Sequence, residues 1–559
     1  MKMTGAELIM RLLERQGITT IAGIPGGANL PMYDALRASA ITHVLARHEQ
    51  GGGFIAQGMA RASGKPAVCF ATSGPGATNV LTAIADAKLD SVPVVCITGQ
   101  VPLGLIGTDA FQEIDTYGLT VPITKHNYLV RSAAELLRVI PDAFRIAQSG
   151  RPGPVVVDVP KDVQNQMVEF DEYPEPGRAD PPPRFTDEEI LRAAGLVNAA
   201  EKPLLYVGAG IIGAGGSAAL TALAEKAGIP VACTLLGLGA MPDGHPLYLG
   251  MLGMHGARGT NMLQEECDLI IALGVRFDDR ATGKAAEFCP NARILHIDID
   301  RSELGKIRSP MVGIEADVRE ALEALLPQVA ASGRTEWLAR VKELQTKYPM
   351  AMPGADNPLT PYGIIRQTAA LLDEEALVST DVGQHQMWTA QAYPFTHPRQ
   401  WLTSGGLGTM GFGLPAAIGA ALACPDRMSV CFSGDGSILM NIQALATAVE
   451  LNVNVKVILL NNGHLGLVRQ QQELFYGGRY MASKFDARPD FVAIARGFGM
   501  AAYDLGAEDD PLKALARGLS EPGPCLINVP IEAADNVFPM VPPGAPNRNM
   551  IGGETHASK

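Results

Sequence analysis

The chain has 559 residues, 47% hydrophobic and 18% charged, with a formal net charge of −13. That length exceeds one hydrophobic core and fits about three domains. The acidic balance excludes a broad nucleic-acid surface, which needs clustered Lys and Arg. Cys69, Cys96, Cys233, Cys267, Cys289, Cys424, Cys431 and Cys525 form no CxxC pair and sit mostly in apolar runs. They read as buried reduced thiols of a cytoplasmic protein rather than disulfides or a zinc site. The first residues lack the apolar core of a signal peptide, and no apolar run is long enough for a membrane span.

The first third alternates helical and strand patterns. Thr4 is placed to cap a helix through Leu8, Leu12 and Leu13. Residues 21–27 read as a strand closing in a glycine turn, and 41–45, 67–71, 92–98 and 151–160 read as further strands. This alternation predicts a parallel sheet with helices on both faces. Residues 168–185, rich in Pro, Asp and Glu, read as a linker. A second unit has strand runs at 203–210, 229–234, 267–273 and 292–299, and a looser stretch near 349–358 precedes a third. The expected fold is α/β: three doubly wound parallel-sheet domains at 1–167, 186–345 and 346–540, with a tail at 541–559. Rich in Pro, Gly and polar residues, the tail reads as a loop, lid or disordered end.

Chemistry concentrates in the third unit. Residues 428–432 and 455–460 read as strands, and Ile438, Ile442, Leu445 and Val449 recur at helical spacing between them. Such a crossover is right-handed between parallel strands. Asp435 of Gly434-Asp435-Gly436-Ser437 and Asn462 of Asn461-Asn462 then lie past the carboxyl ends of neighbouring strands, where open α/β sheets bind ligands. A carboxylate and an amide oxygen suit Mg²⁺, which keeps positions open for phosphate oxygens. Alone, the tetrapeptide reads equally as an Asp-Gly turn.

Other stretches carry paired readings. Glu49, in Arg47-His48-Glu49-Gln50 before three glycines, is a desolvated acid or a surface turn. Residues 71–79 lead from a strand end into a helix start whose amides can face an anion. Asp381-Val382-Gly383-Gln384-His385 and the glycine-rich 405–415 follow strands and permit close backbone approach to phosphate. Arg276-Phe277-Asp278-Asp279-Arg280 after a buried strand is a binding segment or a salt-bridged turn.

The GDG and NN pair across one strand-helix-strand unit resembles the thiamine diphosphate (ThDP) enzymes. The resemblance implies Mg²⁺ on Asp435, Asn462 and the main-chain oxygen of His464. It implies diphosphate at Gly383, Gln384, His385, Gly434, Gly436 and Ser437, with Met410 propping the cofactor in its bent form. Glu49 would hydrogen-bond the aminopyrimidine ring and favour the tautomer that takes the thiazolium C2 proton. Leu252-Gly253-Met254-His255-Gly256, the Arg276 to Arg280 run, Phe111-Gln112-Glu113 and Thr124-Lys125-His126-Asn127 are further similar to the FAD-containing acetolactate (acetohydroxyacid) synthase large subunits, over about residues 4–544.

That family implies pyrimidine-binding, FAD-associated and diphosphate-binding domains in chain order. FAD contacts would fall on Arg151, His255, Arg276, Asp298 and Asp317. Arg280 would hold the substrate carboxylate bidentately, Phe111, Gln112 and Lys125 would act at the reacting centre, and Met254, Val382 and Gln471 would line the substrate region. The implied reaction decarboxylates pyruvate and condenses the two-carbon carbanion with a second pyruvate or 2-ketobutyrate, the first common step of branched-chain amino acid biosynthesis. The implied assembly is at least a homodimer, with Glu49 and the diphosphate site from opposite subunits, plus a small regulatory subunit. The alternatives are another ThDP-dependent 2-keto acid decarboxylase or a flavin pyruvate oxidase. One departure stands out. Many family members carry a tryptophan where Arg469-Gln470-Gln471-Gln472-Glu473 has Gln471. Loss of that apolar contact predicts a weak preference for 2-ketobutyrate, since a methylene discriminates by only about 1–3 kcal/mol.

Overall fold

The structure is a computed structural model and describes residues 1–553. Three six-stranded parallel sheets follow one another along the chain. The first comprises Thr20–Gly23, Thr42–Leu45, Ala67–Ala71, Val94–Gln100, His126–Leu129 and Val155–Pro160. The second comprises Pro203–Val207, Val231–Cys233, Tyr248–Met251, Leu269–Leu273, Arg293–Asp298 and Val312–Glu315. The third comprises Leu377–Thr380, Trp401–Leu402, Ser429–Gly434, Val455–Asn461, Ala501–Asp504 and Cys525–Pro530. Numbered by sequence within each sheet, the strands lie 2-1-3-4-6-5 in the first and third sheets and 3-2-1-4-5-6 in the central one. The outer two domains thus share a topology that the middle one does not. The central order is that of dinucleotide-binding sheets. Strands such as Leu269–Leu273 and Val94–Gln100 are buried throughout. Helices cover both faces, so these segments read as continuous apolar runs rather than alternating ones.

Local chemistry accounts for the element starts. Thr4 and Glu7 form a reciprocal capping box on Gly5–Arg15. His48 caps Glu49–Ser63, which makes Glu49 the first residue of a long helix rather than part of a turn. That helix crosses Gly413–Ala423 of the third domain without side chains between the backbones. A Cβ at Gly58 would lie 2.1 Å from the Ala416 carbonyl oxygen, and one at Gly419 would lie 2.0 Å from that of Ile55.

The strand expected over 203–210 ends at Val207, and Ala209–Gly213 is a helix. The helix expected through Ile438 and Val449 is two pieces, Asp435–Ile438 and Ala444–Leu451. In the break, Asn441 donates to the Gly411 carbonyl at 2.9 Å and to Gln50 Oε1 at 3.0 Å, so its side chain serves two other segments. The strand Met167–Glu169 takes two residues expected in the linker, pairing antiparallel with Lys2–Thr4. With Val168 alone buried in it, three residues are too few to show a period.

The described part of the tail, 541–553, is strapped to the central domain, and 554–559 lie outside the described residues. Val541 N donates to the Met254 carbonyl at 2.8 Å, Lys284 N donates to Ala545 O at 3.0 Å, and Arg548 pairs with Glu265 and Glu287. All eight cysteines are free, and only Cys424 is not buried. No helix among the described residues is long and apolar enough to cross a membrane.

Candidate active site

Parallel pairing of Gly434 with Leu460 sets the ends of two strands side by side, and Asp435 and Asn462 emerge from them together. Asp435 Oδ2 accepts from Gly463 N at 2.6 Å and Oδ1 from Gly436 N at 3.0 Å. Burial nevertheless pushes its carboxyl up to about 6, the backbone donors opposing. Asn462 Oδ1 accepts from His464 N at 3.0 Å, and Ser437 Oγ donates to the Val382 carbonyl at 2.7 Å. These residues line one small pocket with Gly383, Gln384, His385, Met410, Gly434 and Gly436. His385, near the start of the helix Gln384–Ala392, is held neutral by burial, its pKa pushed down to about 3. Its Nε2 has no hydrogen-bond partner. An unpaired buried ring nitrogen sharing one pocket with a carboxylate and an amide oxygen is a donor set that fits Mg²⁺ and diphosphate.

Asp381 holds the Met410 loop. Fully buried, its carboxylate accepts from Gly411 N at 2.7 Å, Gly413 N at 3.2 Å and Ser433 Oγ at 2.8 Å. The segment was legible as a glycine turn, but Asp381's own role was not, because its partners lie in two other segments.

Glu49 stands elsewhere in the chain. Its Oε2 accepts from Asn79 Nδ2 at 2.9 Å, and a Cβ at Gly76 would lie 3.5 Å from its Oε1. Beside it the buried Thr72 hydroxyl has no partner. An acid and an orphan hydroxyl against glycines fit a flat heteroaromatic ring. Glu49 lines neither the diphosphate pocket nor the larger cavity described next. Phe111 is 88% exposed on a loop tied by Glu113, which accepts from the amides of Gly107, Thr108 and Ala110. Gln112 beside it has φ +60°. Neither lines the diphosphate pocket or the larger cavity. Lys125 also stands apart. Its ammonium donates to the Ile146 and Ser149 carbonyls, both at 2.5 Å, closing the end of the helix Leu136–Gln148. Burial pushes it down to about 8.

A cavity of about 1150 Å³ opens at the switch point of the central sheet, between Pro203–Val207 and Leu269–Leu273. The two strand ends touch there. Gly274 has φ +52°, and a Cβ at Gly208 would lie 2.4 Å from the Gly274 carbonyl oxygen. Arg151, His255, Arg276, Asp298 and Asp317 all line this cavity, as do Met254, Arg280 and Gln471. Arg151 pairs with Glu303 at 2.8 Å and Asp300 at 3.3 Å. Arg276 donates to the Leu89 carbonyl at 2.8 Å. Asp317 caps the helix Val318–Leu325. Asp298 is pushed up to about 6 by burial, and His255, buried against the Pro539 carbonyl, is pushed down to about 4. A carboxyl-end cavity at the switch of a 3-2-1-4-5-6 sheet fits a dinucleotide such as FAD. Arg280 keeps 62% of its side chain exposed, with Nη1 3.3 Å from Met254 Sδ. Its helix Asp279–Thr282 is capped by Asp278, and Arg280 Nε lies 3.7 Å from Asp279 Oδ2, so the charged run is a built N-cap that also carries an ion pair.

A buried network outside these expectations supports both pockets. Arg61 pairs with Asp90 at 2.8 Å and Asp86 at 3.3 Å. Asp86 accepts from the Ser404 and Thr409 hydroxyls, and Asp90 from Gly405 N at 2.9 Å and Gly406 N at 2.7 Å. Two carboxylates of the first domain thus hold the glycine loop leading into Met410.

Comparison with known proteins agrees with this geometry. The N-terminal TPP binding domain of thiamine pyrophosphate enzymes matches residues 3–119, their central domain matches 190–325, and their C-terminal TPP binding domain matches 381–529. The chain is 59% identical over 552 residues to the acetolactate synthase isozyme 1 large subunit of Escherichia coli (strain K12), covering 99% of this chain and 98% of that protein. It is 44% identical over 549 residues to the isozyme 2 large subunit of the same organism, covering 98% and 99%. It is 46% identical over 565 residues to the chloroplastic acetolactate synthase 2 of Nicotiana tabacum, covering 98% and 85%. With all three domains matched in order and the relatives aligned almost end to end, the chain belongs to the thiamine pyrophosphate enzymes and, within them, to the acetolactate synthase large-subunit family.

Proposed function

We propose that the chain is the catalytic subunit of an acetolactate synthase. It takes pyruvate, removes CO₂ and joins the two-carbon remainder to a second pyruvate or to 2-ketobutyrate, opening valine, leucine and isoleucine synthesis. One arrangement carries this reading. Met254, Arg280 and Gln471 share a cavity with the switch point of the central sheet, and Leu467 lines both that cavity and the Asp435 pocket. The Arg280 guanidinium therefore lines a cavity that adjoins the Asp435 pocket, as a carboxylate ligand beside a metal-phosphate site would. Bound there, ThDP supplies the electron sink that lets a 2-keto acid lose CO₂ and its remainder react with a second one.

The chain's own residues do the rest. Asp435, Asn462 and the His464 carbonyl would hold Mg²⁺, and neutral His385 would bond the diphosphate. Met410, pinned through Asp381, would set the ring geometry. Glu49, oriented by Asn79, would exchange a proton with the aminopyrimidine. Arg280 would orient the keto-acid carboxylate, with Gln471 and Val382 beside the second substrate. FAD would occupy the central cavity, held by Arg151, His255, Arg276, Asp298 and Asp317. Glu49, Phe111 and Gln112 line neither the Asp435 pocket nor the central cavity of one chain, which supports a homodimer whose sites each draw on two chains. The large-subunit relatives support a small regulatory partner.

The deciding experiment incubates purified protein with pyruvate, ThDP, Mg²⁺ and FAD and follows acetolactate by its acid conversion to acetoin. Acetate with peroxide would instead indicate a flavin oxidase, and free acetaldehyde a plain decarboxylase. Glu49→Gln should abolish turnover and leave ThDP binding largely intact.

A further inference from the structure

The tail residue Asn547 belongs to a closed ring of hydrogen bonds around the substrate-lining loops. Its side chain is 3% exposed. Nδ2 donates to the Ala281 carbonyl at 2.8 Å and to Gln264 Oε1 at 3.0 Å. Gln264 Nε2 donates to Asn261 Oδ1 at 3.1 Å. Asn261 grips both backbone groups of Gly253, accepting from its N–H at 2.9 Å and donating to its carbonyl at 2.8 Å. Met254 N then donates to the Arg280 carbonyl at 2.8 Å, and the Arg280–Ala281 peptide closes the ring.

We propose that Asn547 is a positioning residue for substrate-carboxylate recognition: the tail fixes how Arg280 stands relative to Met254. The inference rests on the reading of Arg280 as the carboxylate ligand. Its physical basis is satisfaction. Asn547, Gln264 and Asn261 are all buried, and of their amide atoms Asn547 Oδ1 lacks a partner while every NH₂ group has one; a buried donor that loses its acceptor is costly, so the donors hold the ring in this arrangement. No other described residue donates a side-chain hydrogen bond to the Ala281 carbonyl, and the tail approaches the Arg280 helix from behind. Gly283 bridges Pro546, and Lys284 bonds Ala545. The ring reaches the cavity through Met254, Arg280 and Ala281, none of which lines the diphosphate pocket. Its loss should therefore be read in substrate binding, not in the diphosphate pocket.

The test compares Asn547→Ala, Gln264→Met and Arg280→Ala with wild type in the fully loaded enzyme. Asn547→Ala should raise the KM for pyruvate about tenfold, with kcat within about twofold and ThDP affinity unchanged. Gln264→Met preserves shape, breaks the ring from its other side and should give the same KM shift, which keeps the test open if the tail variant folds poorly. In the double variant Arg280→Ala with Asn547→Ala, the KM should be no higher than in Arg280→Ala alone. Additive KM effects would overturn the proposal, as would an unchanged KM in Asn547→Ala and Gln264→Met while Arg280→Ala raises it. An unchanged KM in Arg280→Ala itself would overturn the carboxylate reading and the proposal with it.

Discussion

Glu49 accepts a hydrogen bond from Asn79 at 2.9 Å, and neither residue lines the pocket that holds Asp435 and Asn462. The proton-transfer half and the phosphate half of the proposed site are thus separate features of one chain. Two chains related by a twofold axis bring unlike halves together twice. Glu49→Gln and Asp435→Asn homodimers should each be inactive. Mixed and re-paired, they should regain about a quarter of wild-type activity, because half the dimers are mixed and each mixed dimer holds one native site of two. Acetoin formation after co-refolding or co-expression measures this. If the mixture stays inactive while forming mixed dimers, each site is built within one chain.

The Asp435 carboxyl gives a pH signature. Burial holds it up at about 6 in the folded chain, against about 3.9 when unfolded. Between those values the native chain holds a proton that the unfolded chain has lost. This group's contribution to stability therefore falls as pH rises from about 4 to about 6, and stays low above that. Without metal or cofactor, Asp435→Asn should raise Tm over wild type at about pH 7.5 and change it little at about pH 4.5. Adding Mg²⁺ and ThDP at the higher pH should reverse the order, because only the carboxylate can take the cation. Calorimetric scans at both pH values decide it. An equal advantage for the variant at both would remove desolvation as the cause.

Legibility followed sequence distance. Asp435 and Asn462 were readable because one crossover unit places both, and strand ends are visible in apolar runs. Thr4 was readable as a cap because its partner Glu7 is three residues away. Asn79, Asp86 and Asp90 gave no signal. Asp86 and Asp90 are two polar positions of an otherwise ordinary helix, and their partners at Ser404, Gly405, Gly406 and Thr409 lie more than 300 residues along the chain. The broken helix at Asn441 was hidden for the same reason: its apolar spacing is helical, and the groups that pull Asn441 out, Gln50 and Gly411, are remote. The central cavity was hidden too, because strand order, not strand content, makes a switch point.

The Arg61 network predicts a destabilisation that depends on pH. Arg61 is the countercharge for two buried carboxylates, and burial with repulsion from Asp90 already pushes Asp86 up to about 6. Arg61→Met keeps much of the side-chain volume and leaves both carboxylates unpaired, a change that costs about 3–5 kcal/mol in buried pairs. Removing the cation raises the carboxyl pKa values further, so the unpaired groups take up protons as pH falls and the penalty shrinks. Urea unfolding should show a larger loss at about pH 8 than at about pH 5.5. A loss independent of pH would mean that Arg61 acts through packing on Phe412, over whose ring its guanidinium lies 5.0 Å from the centroid.

Gln471 separates the two second substrates. It lies on the helix Gly466–Phe475 and lines the cavity with Met254 and Arg280, whereas its neighbour Gln470 is buried and committed to Val537 and Gln384. With Leu467, position 471 is therefore one from which this helix presents a side chain to a ligand in that cavity. Pyruvate and 2-ketobutyrate differ by one methylene, which an apolar contact can reward by about 1–3 kcal/mol and a polar amide rewards little. In competition between the two keto acids, the wild-type product ratio should stay close to the ratio supplied. Gln471→Trp should shift it about tenfold or more toward the 2-ketobutyrate product, with the KM for the first pyruvate nearly unchanged because Arg280 is untouched. A strong 2-ketobutyrate preference in the wild type would contradict the reading of this position. An unchanged ratio in Gln471→Trp would place the discrimination on another wall of the cavity.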